Sequence, residues 1–239
     1  ISFFEEFPTK KNLDKVKLID FPTKLYIAAH SLDEFKSIKK QIKSKYVREI
    51  IYWPILKKKE GYWFSPFTKQ KALKNTFKQL KGKNISVMFD MELPFSKLLI
   101  IKNLFQSHTN KHLINKFIKD HKKIYVCEYF IDSKLFSLFG LEYNKPKNHH
   151  LIKMAYSSMY DHGENKLNQV IQKYKKRFGN KFIMAYGVLT KGVLGWEKPI
   201  TTSLLKRDLD IAKKNKVKEV ILFRLGGLNK KYIKLLKEY

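Results

Sequence analysis

Eight short apolar runs, rich in Ile, Val, Tyr and Phe, alternate along the chain with segments whose apolar residues recur at helical spacing. The runs are Ser2–Phe7, Lys24–Ala29, Glu49–Ile55, Ile85–Leu93, Ile124–Ile131, Leu151–Tyr156, Lys181–Leu189 and Glu219–Leu225. Strands buried on both faces have this look, because neither face needs polar side chains. Between them, Ser31-Leu32-Asp33-Glu34 reads as a capping box ahead of Phe35, Ile38 and Ile42. Thr68–Leu80 sets Leu73, Phe77 and Leu80 on one stripe. Lys97–Lys122 is the longest helical stretch, with a break expected near Gln106–Asn110. Asn165–Phe178 and Ser203–Asn215 are amphipathic, and Tyr232–Tyr239 closes the chain.

Strand and helix in strict alternation imply a parallel sheet with right-handed crossovers. Eight such units in 239 residues predict an α/β fold, a single (β/α)8 TIM barrel over residues 1–239, close to the usual size of about 250 residues. No linker rich in Pro, Gly or Ser divides it. A doubly wound open sheet is the competing architecture, and it normally shows a Gly-rich first turn. Here that turn reads Glu5-Glu6-Phe7-Pro8-Thr9.

In a barrel the chemistry sits where strands end and loops begin. Those positions hold Glu5 or Glu6, His30, Tyr52, Trp53, Asp90, Glu92, Glu128, Tyr156, Tyr186 and Arg224. Carboxylates are rarely buried without a partner or a task. Asp90 and Glu92 are two apart, so on a strand they share a face about 7 Å apart. Crowding two acids raises at least one pKa, which a proton donor at neutral pH needs. The plainer alternative is a helix-capping Asp90 beside a solvated Glu92. Glu128 is expected on the neighbouring strand, about 5 Å across the sheet, completing an acid cluster or pairing with a Lys. Of the first two acids, Glu5 is taken as the inward one. His30 precedes a helix start, where it either bonds the helix end or reaches the site. Trp53, Trp63 and Trp196 all fall in loops of the same face and, with Tyr52, Tyr62, Tyr129, Tyr156 and Tyr186 nearby, suit the flat faces of sugar rings or stacked bases; alternatively they plug the barrel top. After the eighth run, Arg224 with Gly226 and Gly227 offers charge and backbone amides to an anion.

Val87–Pro94 resembles the catalytic fourth-strand motif of the chitinase-like glycoside hydrolases of family eighteen. That family carries a longer run of Asp ending in Asp-x-Glu; here Asp90-Met91-Glu92-Leu93-Pro94 matches its last part, with apolar residues at the earlier Asp positions. Met154-Ala155-Tyr156 is similar to the family's sixth-strand Met-x-Tyr, with Ser157 where an Asp is usual. Lys181–Trp196 loosely resembles its seventh strand and glycine-rich aromatic loop. The resemblance implies Glu92 as proton donor to the glycosidic oxygen, Asp90 steering a substrate acetamido group, and Tyr156 holding that group.

Composition adjusts this picture little. The net charge of +29 suggests polyanions, but only four of the 50 basic residues are Arg, the side chain whose planar fork grips phosphate best. The charge therefore reads as a compositional lysine bias that attracts polyanions without specificity. No apolar stretch approaches the roughly 20 residues of a membrane span. The single Cys127 excludes a disulfide framework and favours a reducing, cytoplasmic compartment, while the opening at Ile1 leaves room for a removed signal. No phosphate loop, paired-Cys or zinc-helix motif is present, so neither cofactor nor metal is expected.

The expected activity is a glycosidase-like hydrolase acting on a carbohydrate or glycoconjugate by carboxylate acid/base catalysis. Glu92 is the acid, and Asp90 or Glu128 assists. Glu5, His30, Tyr52, Trp53, Trp63, Tyr156, Tyr186, Trp196 and Arg224 are the substrate-binding candidates. Two alternatives remain open. One is a metal-dependent phosphoesterase or nuclease using Glu5, His30, Asp90, Glu92 and Glu128 as ligands. The other is an inactive carbohydrate-binding barrel.

Overall fold

A computed structural model describes residues 1–143 and 148–239. Eight parallel strands close into one ring in chain order: β1 (Ser2–Glu5), β2 (Thr23–Ala29), β3 (Val47–Pro54), β4 (Val87–Asp90), β5 (Ile124–Tyr129), β6 (His149–Ala155), β7 (Phe182–Val188) and β8 (Val220–Phe223). The ring shuts where Phe4 of β1 pairs with Phe223 of β8. The helices are α1 (Lys10–Leu13), α2 (Leu32–Gln41), α3 (Gln70–Leu80), α4 (Lys97–Asp120), α5 (Lys134–Phe139), α6 (Gly163–Phe178), α7 (Thr202–Lys214) and α8 (Lys230–Leu236). This is the (β/α)8 barrel that the alternation predicts.

Alternation along each strand sorts its side chains into two cores. Phe4, Tyr26, Ile51, Trp53, Met88, Tyr125, Cys127, Ile152, Met154, Ile183, Ile221 and Phe223 fill the ring. Their neighbours, including Phe3, Leu25, Tyr52, Phe89, Val126, Leu151, Tyr186 and Leu222, pack outward against the helices. Parity thus decides which strand-end residues reach the mouth. One register slip, between Thr23 and Lys24, lies at the far end of the β2–β3 pair; near the mouth parity breaks in β7, where Gly187 adopts φ +56° and the register slips between Tyr186 and Val188. An ordinary side chain resists that conformation. The inserted glycine turns Val188 into the inner core while Tyr186 stays outside.

Two elements differ from expectation. α4 runs unbroken from Lys97 to Asp120. Its mid-helix polar residues dock it instead of breaking it: the Asn103 amide donates to Phe67 O at 2.8 Å, and the Asn110 amide donates to Pro66 O and Thr68 O, each at 2.8 Å. α5 is a short helix between β5 and β6, capped by Ser133 and ended by Gly140 in the left-handed region; its six residues are too few for periodicity to reveal. The Ser31 cap is present, accepting from the Glu34 N–H at 3.1 Å. Among the described residues no helix is long and apolar enough to cross a membrane.

Candidate active site

At the C-terminal mouth of the ring lies a cavity of about 220 Å³. Phe4, Cys127, Met154, Val188 and Phe223 line its depth; Trp53, Trp63, Tyr129, Tyr156 and Tyr160 line its walls; Glu6, Asp90, Glu92 and Glu197 supply its charges.

Asp90 ends β4 and follows Met88 inward. The chain then leaves the strand, with Met91 N–H bonded to Cys127 O at 2.9 Å and Leu93 N–H bonded to the Tyr129 hydroxyl at 3.1 Å. These bonds hold Glu92 over the cavity, where its carboxyl is hydrogen-bonded to that of Asp90. Burial pushes Glu92 up to about 7, with Glu6 and Glu197 adding to the rise and the Asp90 bond opposing it. Burial, then the Glu92 and Glu6 charges, hold Asp90 well above the usual carboxylate range. Two acids this close, Asp90 buried and Glu92 half-buried, keep a proton between them at neutral pH.

Glu6 stands one residue beyond β1. Its carboxylate accepts from the Tyr62 hydroxyl at 2.8 Å and from Val193 N–H at 2.9 Å, and burial raises it to about 7. Glu197 accepts from Leu194 N–H at 3.1 Å. Gly192 lies between these two acids: a Cβ there would sit 2.8 Å from Glu6 Oε2 and 2.8 Å from Glu197 Oε1. A larger residue there would push these side-chain ends, and that of Phe223 at 2.6 Å, out of place. Trp53 packs on Phe4 at 5.5 Å, Trp63 on Phe95 at 4.3 Å, and Tyr156 on Phe223 at 5.7 Å between ring centroids. Cys127 is buried, and burial keeps its thiol protonated.

Of the residues expected at the site, Asp90, Glu92, Trp53, Trp63 and Tyr156 meet in this cavity. The others do not reach it. Glu128 follows Val126 onto the outer face of β5, where Lys153 Nζ lies 3.0 Å away and Tyr143 N–H also donates to it. Glu5 points outward, and Glu6 is the inward acid. Glu5 binds Arg224 at 3.0 Å and takes the Gly226 N–H at 2.6 Å. Arg224 and an amide once offered to an anion are thus already engaged. Tyr52 stacks on Phe35 of α2 at 5.0 Å, and Tyr186 lies in the outer core. His30 is exposed, its ring nitrogen 3.3 Å from Ile55 O. Trp196 is 63% exposed and lines none of the cavity.

Of the five ligands of the metal-dependent alternative, only Asp90 and Glu92 come together. Among the described residues no group of three or more His, Cys, Asp or Glu is placed to hold a metal ion. Sequence reading missed Glu197 and preferred Glu5 to Glu6, the one that lines the cavity; Tyr129, a candidate beside the aromatic rim, does line it. Only strand parity at β1 could have signalled Glu6, and a loop glutamate such as Glu197 carries no periodic signal.

No protein-family model matches the chain, and no curated protein matches it. Solved structures share its architecture. The PgaB (BpsB) glycoside hydrolase domain from Bordetella bronchiseptica is 12% identical, with a TM-score of 0.60 over 99% of this chain and 97% of its own. The Bacillus megaterium spore cortex-lytic enzyme SleL is 14% identical, with a TM-score of 0.51 over 100% of this chain and 72% of its own. The class V chitinase from Nicotiana tobaccum is 11% identical, with a TM-score of 0.52 over 98% and 95%. The likeness is one of fold: the chain has the barrel found in these glycoside hydrolase-type structures.

Proposed function

We propose that the chain is a glycoside hydrolase acting on a carbohydrate or glycoconjugate, with Glu92 as general acid and Asp90 as its assisting carboxylate. The hydrogen-bonded Asp90–Glu92 pair at the end of β4, opening into an aromatic-walled cavity, carries the reading. The fold shared with a glycoside hydrolase domain and a chitinase supports it.

The chemistry follows from protonation. Glycosidic cleavage needs a proton on the departing oxygen and stabilisation of the positive charge left on the ring. A carboxyl raised to about 7 is still protonated at neutral pH yet gives its proton up readily. Asp90 beside it tunes that proton and offsets the developing charge once the pair ionises. Trp53, Trp63 and Tyr156 offer flat apolar faces to the sugar ring and exclude water from it. Glu128 has no part, because it is bonded to Lys153 behind the strand.

Glu92→Gln tests the reading. It keeps the size of the side chain and removes the proton, so hydrolysis of a susceptible oligosaccharide is expected to fall by about 10²–10⁴-fold. Full activity in the variant would end the assignment, and sugar binding without turnover in the unaltered chain would make it a carbohydrate-binding barrel.

A further inference from the structure

Helix α4 is inside out over its first half. Asn103, Ser107 and Asn110 are buried against the barrel, while Leu98, Ile101, Leu104 and Phe105 face outward, Phe105 at 92% exposure. An amphipathic helix of a globular domain shows the opposite arrangement. Beyond Phe105 the outer stripe turns polar, as exposed His108, Thr109 and His112, and on the inner face Ile114 and Ile118 are buried in the ordinary way. Helix α5 adds to the same surface. It buries none of its six residues, and Leu135 and Leu138 are more than half exposed. Lys111 fastens the two helices, its ammonium donating to Ser137 O at 3.1 Å and to Leu138 O at 3.2 Å. Leu104 lies on the Lys111 stripe two turns earlier. Single exposed apolar residues are ordinary, but six on two adjoining helices mark a surface that something covers.

Position and charge identify the occupant. Both helices start at the barrel mouth, because each follows the C-terminal end of a strand. Phe95, just before α4, packs on Trp63 of the cavity wall at 4.3 Å, and the Lys58 ammonium stands 5.7 Å over its ring. Exposed Lys97, Lys102 and Lys134 border the apolar side chains. No Asp or Glu occurs between Leu93 and Lys119, and none in α5. The acids flanking α5 are already engaged, Asp132 by Lys153 and Lys173, and Glu142 by the Ser133 N–H at 2.5 Å. An apolar centre with a lysine border and no free acid matches an anionic lipid surface. The apolar side chains enter the acyl boundary, the lysine stems lie along it, and the ammonium groups meet the phosphates. A second copy of the chain fits worse, because a two-fold contact sets this lysine border against itself.

We infer that the α4–α5 face docks on an anionic lipid bilayer, entering the interface without crossing it and setting the cavity mouth close to the headgroups. Docking stands whether or not the cavity hydrolyses sugars.

Co-sedimentation of the full chain with lipid vesicles tests this, at about 0.15 M salt so that general lysine attraction is screened. Phosphatidylcholine vesicles containing about one-third phosphatidylglycerol are expected to bind at least about tenfold tighter than phosphatidylcholine alone. Ile101→Ser combined with Phe105→Ser is expected to remove about tenfold of that affinity, with Leu135→Ser and Leu138→Ser as the second pair should the first not fold. Lys230→Ser with Lys234→Ser, on α8 across the barrel, is expected to change it less than about twofold. Affinity that survives loss of the apolar side chains, or that falls as far with the α8 lysines, would leave charge as the sole cause and overturn the inference. Equal affinity for the two lipid mixtures, or binding to neither, overturns it as well. So does a dimer in light scattering that Ile101→Ser with Phe105→Ser separates, since the face would then belong to a second copy.

Discussion

Asp90 and Glu92 make the site's pH behaviour a matter of one shared proton. Glu92 rises from 4.5 in the unfolded chain to about 7 in place. Hydrolysis by the protonated acid should therefore decline as pH climbs through about 7, and a pH profile of kcat/KM checks this. Stability moves in the same direction. Below pH 4.5 the carboxyl is neutral in both states and the burial costs nothing. Between 4.5 and about 7 the unfolded chain releases its proton first, so stability falls as pH rises. Glu92→Gln removes that penalty, so the variant should gain on the order of 2 kcal/mol over the unaltered chain at pH 8 and nothing at pH 4. Urea melts at the two pH values measure the difference. Such a trade of stability for chemistry was half legible beforehand. Asp-x-Glu at the close of an apolar run points to a site without any structure. Glu5 and Glu6 do not resolve the same way, because β1 is apolar on both faces and its alternation leaves no trace in residue type.

At the scale of elements, the β5–β6 pair shows why strand ends mislead. Glu128 lies where a catalytic acid would, but parity turns it to the helix layer. There Lys153 is fully buried and binds Glu128, Asp132 and Tyr129 O, each at 3.0 Å. Lys173 and Tyr174 complete the cluster on Asp132, drawing its carboxyl down to about 2. Lys153→Met would leave Glu128 buried and unpaired, so it should cost about 3–5 kcal/mol in urea unfolding at neutral pH and less near pH 5, where Glu128 takes up a proton. A loss confined to activity, with stability unchanged, would mean that the cluster does something other than fasten two strands. Helix α4 resists sequence reading for a related reason. Its Gln106–Asn110 stretch looks like a break, yet Asn110, like Asn103 before it, is buried against the Pro66–Thr68 backbone that follows Trp63. A polar residue inside a helix can mark a dock as well as a stop.

For the whole molecule, the ring was the most legible feature, since eight repeats of one alternation leave few ways to close a sheet. The bulge at Gly187 and the approach of Gly192 to two glutamates were not, because each depends on what packs opposite. The overall charge also takes on meaning only in three dimensions. Lysines such as Lys36, Lys39, Lys206 and Lys213 coat the outer helices, while the mouth is walled by carboxylates. A polyanion meets attraction everywhere except where it would have to enter. For a positively charged ligand the order reverses: the approach is uphill and only the final ångströms, among the cavity's acids, are favourable. Added salt should flatten that approach and hasten capture, opposite to the slowing seen when long-range attraction guides a ligand in. Stopped-flow tryptophan fluorescence across a salt series would show an association rate that climbs with ionic strength, and a molecule whose exterior acts as a kinetic filter on what its interior prefers.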